Sequence, residues 1–138
     1  MKISTKGRYG LRLMTELARA EGEGPLSVKE IARRQSISDK YLEQIIMQLS
    51  RAGLVSSVRG AQGGYVLSRP AGEITAGEVL RAAEGSLAPV ECAEFGCDHA
   101  EGCTTYGLWK RIKDAVDNVV DSTTIADLVS DPEPPCSE

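Results

Sequence analysis

The sequence predicts a mostly α-helical protein with a small β-hairpin: a winged helix-turn-helix domain plus a long C-terminal dimerisation helix. Three observations lead there. Two helical patterns are separated by a tight turn at residues 35–37, the outline of a helix-turn-helix. Two β-prone runs around a glycine-rich tip follow the second helix directly, which reads as a hairpin in the position of a wing. A last helical pattern, residues 105–121, carries one apolar stripe that must be buried, part of it by the first domain and the rest by a second copy of the chain.

The first helix is expected from about Gly7 to Ala20, because Leu11, Met14, Leu17 and Ala18 recur at helical spacing. Ser4 or Thr5 can cap it, and Gly22, Gly24 and Pro25 stop it. Ser27-Val-Lys-Glu30 has the form of a capping box and opens a short helix to about Arg34. Ser38 then caps a longer helix, Asp39 to Ala52, which Gly53 ends. Leu42, Ile45, Ile46 and Leu49 form its inner face, while Asp39, Lys40, Glu43, Gln44 and Gln48 point outward with Tyr41 beside them.

The hairpin spans residues 54–67, with Arg59 at its tip. Thr75-Ala-Gly-Glu78 is a second capping box, starting a helix to about Glu84. Residues 85–103 read as irregular, since Gly85, Pro89, Gly96 and Gly102 break any period. Leu108, Trp109, Ile112, Ala115, Val116, Val119 and Val120 make the stripe of the long helix, and a second copy of the chain is the expected cover. Thr124-Ile-Ala-Asp127 starts a short final turn of helix. The expected division is 1–84 for DNA binding, 85–104 for a cysteine-containing sensor loop, 105–129 for dimerisation and 130–138 for a disordered tail.

Net charge is −4, which looks wrong for a DNA binder, but it averages two unlike halves. Residues 1–69 hold 12 Lys/Arg and 6 Asp/Glu, a balance of +6, and residues 70–138 hold 4 and 14, a balance of −10. A basic binding half joined to an acidic half with another task fits this asymmetry. One histidine and no nucleophile–base constellation argue against an enzyme. A small electron carrier would explain clustered cysteines but not a wing or a basic half. With no run of 18 apolar residues and no signal peptide, the expected compartment is the cytoplasm. Three of the four cysteines, Cys92, Cys97 and Cys103, crowd into twelve residues, the fourth being Cys136. In a cytoplasmic protein such a cluster favours metal binding or redox chemistry over a disulfide framework.

Met1-Lys-Ile-Ser-Thr-Lys-Gly-Arg-Tyr-Gly10, Tyr41-Leu-Glu-Gln44, Val58-Arg-Gly60 with Gly63-Gly-Tyr65, and Ile74-Thr-Ala-Gly77, in that order, resemble the bacterial Rrf-two family of winged-helix regulators. The resemblance covers residues 1 to about 129. It implies a homodimeric repressor whose long helices pair across a two-fold axis and whose DNA affinity is tuned near the cysteine loop. The opening segment and Asp121-Ser-Thr-Thr124 look closest to a branch of cysteine-metabolism repressors, and the three cysteines look like a branch of iron–sulfur regulators.

The expected DNA contacts are Lys40 on phosphate, and Tyr41, Glu43 and Gln44 at base edges or the adjacent backbone. Glutamine can pair with adenine and glutamate can accept from cytosine N4. Arg59, with Gly60 beside it, can enter a narrow minor groove. Small Gly60, Gly63 and Gly64 would let the backbone approach closely, and Lys6, Arg8 and Arg34 are further phosphate candidates.

Cys92-x4-Cys97-x5-Cys103 resembles the three-cysteine pattern of the iron–sulfur members, one residue short in the first gap. Thiolates suit iron–sulfur clusters ([2Fe–2S] or [4Fe–4S]) and zinc. Tyr106 and Arg8 stand where two branches of the family place a fourth ligand, so that ligand is open. His99 is a candidate, with Glu91, Glu94, Asp98 and Cys136 behind it. An iron–sulfur cluster leads this reading. A zinc site through Cys92, Cys97, His99 and Cys103 and thiol redox sensing are its chemical rivals. A cluster-free repressor controlled by a metabolite or a partner enzyme of cysteine biosynthesis is the alternative regulator.

Overall fold

A computed structural model describes residues 2–130 of the 138-residue chain. The expected tail and Cys136 lie outside the described residues. Helices α1 (Thr5–Arg19), α2 (Val28–Gln35) and α3 (Asp39–Arg51) are followed by strands β1 (Val55–Val58) and β2 (Gly64–Leu67). Helices α4 (Ala76–Glu84), α5 (Glu91–Phe95), α6 (Tyr106–Ser122) and α7 (Ile125–Ser130) complete the order. The fold is mostly helical with one two-stranded antiparallel hairpin, as expected.

Each early helix is started by a serine. The Ser4, Ser27 and Ser38 hydroxyls accept from the backbone N–H groups of Gly7, Glu30 and Tyr41, each satisfying a donor that has no partner inside the helix. The expected box at Ser27 is only half made. Glu30 turns its carboxylate to Arg33 (2.6 Å) and Arg34 (2.8 Å) instead of back to the cap. Those guanidinium hydrogen bonds, Arg33 first, hold its carboxyl down at about 2. The box at Thr75–Glu78 is complete, and Thr124 and Asp127 make another at the start of α7.

The core is aliphatic. Leu13, Met14 and Leu17 of α1 meet Ile31 of α2, Leu42, Ile45, Ile46 and Leu49 of α3, Leu54, Val55, Ile74, Val79 and Ile125. Burying each large side chain contributes about 1.5–3 kcal/mol, so these helices are held by packing more than by propensity. Ile125 brings α7 back onto this core, although α6 lies between. Thr75 and Thr124 form a β-bridge there.

Two polar links tie the helices together. In the first, buried Glu16 accepts from Gln35 Nε2 at 2.7 Å and from Arg34 at 3.3 Å, locking α1 to α2. In the second, Glu84 at the end of α4 accepts from the Ser4 backbone N–H at 2.8 Å and from its hydroxyl at 2.5 Å. A Cβ on Gly7 would meet that carboxylate and the Ile3 side chain, so a larger residue there must push Glu84 off Ser4.

Residues 85–103 are less irregular than their glycines suggest. Glu91–Phe95 forms α5, anchored by buried Ala93, and residues 100–102 form a 3-10 turn. Helix α6 has no buried residue. Leu108 is 49 % and Val119 62 % exposed while Trp109, Ile112, Val116 and Val120 are half-buried, so the stripe is only partly covered in the single chain. Among the described residues, no helix is long and apolar enough to cross a membrane.

Candidate nucleic-acid interface

Helices α2 and α3 are joined by Ser36, Ile37 and Ser38, with Ser36 in the left-handed conformation at φ 55°. This tight reversal packs Leu42, Ile45, Ile46 and Leu49 into the core. The opposite face of α3 is thereby left exposed, with Asp39, Lys40, Glu43, Gln44 and Met47 on it. The expected Lys40, Glu43 and Gln44 thus share one accessible surface.

Tyr41 behaves differently. It is half-buried, its ring set edge-on to Tyr9 of α1 with centroids 6.1 Å apart. Arg12 lies over the other ring, 5.0 Å from the Tyr9 centroid. The Tyr41 ring therefore braces the start of α3 against α1. The stack also holds a guanidinium beside the recognition helix through a cation–π contact. Tyr9 and Arg12 were not among the sequence candidates. Their positions 32 and 29 residues before Tyr41 give no periodic signal.

Strands β1 and β2 pair in the register Val55↔Leu67 to Val58↔Gly64. Arg59 and Gly60 follow at the exposed tip, and Gly60 has φ 118°, a conformation that favours glycine. Gly63 and Gly64 are small for an internal reason. A Cβ on Gly64 would strike the Leu26 backbone, and one on Gly63 the Val58 carbonyl. Leu26 and Tyr65 exchange backbone hydrogen bonds of 3.1 and 2.8 Å, which staples the hairpin to the segment before α2. The wing is therefore held at both its root and its side.

Between α3 and the hairpin lies a groove of about 420 Å³ lined by Glu43, Ile46, Met47, Ser50, Ser57 and Tyr65. Lys40 and Arg51 of α3 and Arg59 after β1 are all exposed. Exposed cations on these two elements are what a phosphate backbone attracts. In the first turn of α1 Arg8 is exposed and Lys6 half-buried. Arg34 is already engaged by Glu30 and Glu16, which lowers its availability for phosphate.

The cysteine segment stands apart from this face. Cys92 sits half-buried in α5. Gly96, at φ 83°, then redirects the chain, and half-buried Cys97 accepts from the His99 backbone N–H at 3.4 Å. Cys103 is exposed just before α6, and its thiol lies 3.5 Å from the Thr105 hydroxyl. That hydroxyl and the N–H groups of Thr105 and Tyr106 at the helix start lower its pKa. Among the described residues, no three of His, Cys, Asp and Glu converge as a metal site. Cys92, Cys97, Cys103 and His99 as placed do not fit a closed iron–sulfur or zinc centre.

Comparison with known proteins matches this architecture. Residues 3–131 match the family described as Rrf2, iron-dependent transcriptional regulator. The chain is 53 % identical to the HTH-type transcriptional regulator CymR of Bacillus subtilis over 130 residues, covering 94 % of this chain and 91 % of that protein. It is 37 % identical to the HTH-type transcriptional regulator IscR of Cronobacter sakazakii, covering 96 % and 83 %. The solved structure of CymR, the global cysteine regulator of B. subtilis, superimposes with a TM-score of 0.81 at 52 % identity, over 94 % of this chain and 97 % of that one. These relatives carry the names of regulators and not of enzymes. An exposed recognition helix, a stapled wing and kinship along nearly the whole length lead to one conclusion: the chain is a transcriptional regulator of the Rrf2 family.

Proposed function

We propose that the chain acts as a homodimer that binds operator DNA in the bacterial cytoplasm and represses genes of cysteine and sulfur metabolism. The observation that carries this reading is the 53 % identity to CymR joined to an intact DNA-facing surface on α3 and the wing. The partly covered stripe of α6 supports the dimer, since the rest of an apolar face of this length is covered most simply by its own copy. Two recognition helices related by a two-fold axis would read two half-sites about one helical turn, or a multiple of it, apart.

In this account Lys40 holds phosphate, Glu43 and Gln44 read base edges, and Arg59 with Gly60 enters the minor groove. Glu43 also rejects wrong sites. A carboxylate near phosphates is costly unless a cytosine amine meets it. Residues 85–104 form the sensory segment, because they link α4 of the DNA-binding module to α6. Control by a partner enzyme or a metabolite is the first sensory reading, and the likeness to CymR supports it. Iron–sulfur sensing is the second reading. It is favoured by the Cys92-x4-Cys97-x5-Cys103 spacing and by the likeness to IscR. The separation of the three thiols counts against it.

Deleting the gene and measuring transcripts tests the regulatory claim. Transcripts of cysteine-uptake and cysteine-synthesis genes are expected to rise, and unchanged levels would refute it. Iron and sulfide assays on protein made without oxygen separate the two sensory readings. Colourless, iron-free protein supports the first, and stoichiometric iron and sulfide support the second.

A further inference from the structure

We infer that Met47 is a base-reading residue of this chain, its thioether end contacting the 5-methyl group of a thymine in the major groove of each half-site. The inference rests on the DNA-binding reading of α3.

Six large hydrophobic side chains are exposed among the described residues: Ile3, Met47, Val58, Phe95, Leu108 and Val119. Leu108 and Val119 belong to the stripe of α6, Phe95 to the cysteine segment and Ile3 to the start of the chain. Val58 adjoins the wing tip. Met47 is the one on the recognition helix, and it is 52 % exposed.

Its position is the informative part. Met47 follows Gln44 by three residues and Glu43 by four, so the three side chains share one face of α3. It also lines the groove with Ser50, Ser57 and Tyr65. Glu43, Gln44, Ser50 and Ser57 put polar groups around it, with Ile46 and Tyr65 at the groove floor. An apolar side chain there gains nothing from phosphate and leaves hydrocarbon in water in the free protein.

The major groove offers one matching feature. Base edges present donors and acceptors, and only thymine adds an apolar group, its 5-methyl. Methionine suits this contact. It is unbranched and polarisable, and it adjusts to a methyl without demanding a fixed angle. Glu43, Gln44 and Met47 then form a three-part reading face with three chemistries: an acceptor for a cytosine amine, a bidentate amide for adenine and a hydrocarbon for thymine.

The test uses the full-length protein and an operator selected from a pool of random duplexes. Each thymine in turn, with its symmetry mate, is replaced by deoxyuridine, which removes the methyl alone. The wild-type protein is expected to lose about fourfold in affinity per half-site at one symmetry-related position, the effect of one buried methyl-sized group. Met47→Ser is expected to lose a similar factor on the thymine operator and to be indifferent to deoxyuridine at that position. Met47→Leu is expected to keep most of the discrimination. The side chain is half in solvent, so these variants leave the core intact. A preference for the operator with no sensitivity to deoxyuridine would overturn the Met47 assignment and leave the DNA-binding reading standing. Undiminished sensitivity in Met47→Ser would do the same. Absence of any sequence preference in the wild type would overturn both.

Discussion

Arg81 of α4 bridges two carboxylates one helical turn apart on α6, with 2.6 Å to Asp121 Oδ1 and 2.9 Å to Asp117 Oδ1. Asp121, the stronger partner, raises the arginine's pKa. Gly77 permits the close approach, since a Cβ there would strike Asp121. This bridge ties α4 to the helix proposed to lie on the dimer axis. Arg81→Met should therefore leave binding to an isolated half-site unchanged and weaken binding to the full operator by about fivefold, about 1 kcal/mol for a partly exposed charge pair. Fluorescence anisotropy on the two duplexes measures both. Equal losses on the two duplexes would argue against a role in spacing.

Acid should loosen the same joint. Asp117 is held below the usual carboxylate range, first by a hydrogen bond from Lys113 and then by one from Arg81. Glu78 is also lowered. Burial opposes the shift, but the Thr75 N–H and Arg69 outweigh it. Both folded pKa values lie below the ordinary 3.8 and 4.5. Their contributions are thus complete above those values and are lost as pH falls through the depressed ones. Urea midpoints are expected to hold steady from pH 7 to 5 and to drop below about pH 4.5. Asp117→Asn should flatten part of that drop. The exposed ion pair of Glu30 should matter little, because solvent screens it.

Gly7 and Glu84 make a sharper stability test. Gly7→Ala places a methyl against a carboxylate that is already engaged by Ser4. Overpacking of this kind costs about 1–3 kcal/mol. Denaturant unfolding should show that loss, and the same Gly7→Ala change should cost less when made in a Glu84→Ala background, where the obstruction is gone. An equal cost in both backgrounds would mean that the collision is not the cause.

Much of the DNA-facing half was legible in the sequence. Serine caps, a glycine-bounded α3 and a β-prone pair around Arg59 are local signals, and local hydrogen bonding settles them. The capping box at Ser27 misled because Glu30 has two arginines within a turn, and guanidinium groups outcompete a backbone N–H. Helix α5 was hidden because Pro89 and Gly96 bracket a segment too short to show a period. Tyr41 faces outward by its position on α3, yet Tyr9, distant in sequence, claims its ring. The tight Gly63–Gly64 pair was visible, but its purpose, contact with the Val58 and Leu26 backbones, was not. Spacing grouped the three cysteines, and among the described residues they do not gather into a metal-holding set.

Arg59 is expected to carry a disproportionate share of the affinity. It is exposed at a tip held by the Leu26–Tyr65 staple. Removing it should therefore cost contact without disturbing the fold. Arg59→Ala should weaken operator binding by about tenfold or more, with preference relaxed at the positions flanking each half-site. Circular dichroism should be unchanged. A variant that binds as tightly as wild type would place the wing outside the interface.

The most direct test of a paired, groove-reading regulator is the salt dependence of specific binding. Affinity for a selected two-fold symmetric duplex and for a scrambled duplex of equal length is measured from 50 to 300 mM salt, with stoichiometry read at saturation. The account predicts two chains per duplex and a steep linear fall of log affinity with log salt. It also predicts an advantage of about a thousandfold or more for the symmetric sequence. Equal affinity for the two duplexes at every salt concentration, or binding by one chain alone, would contradict it.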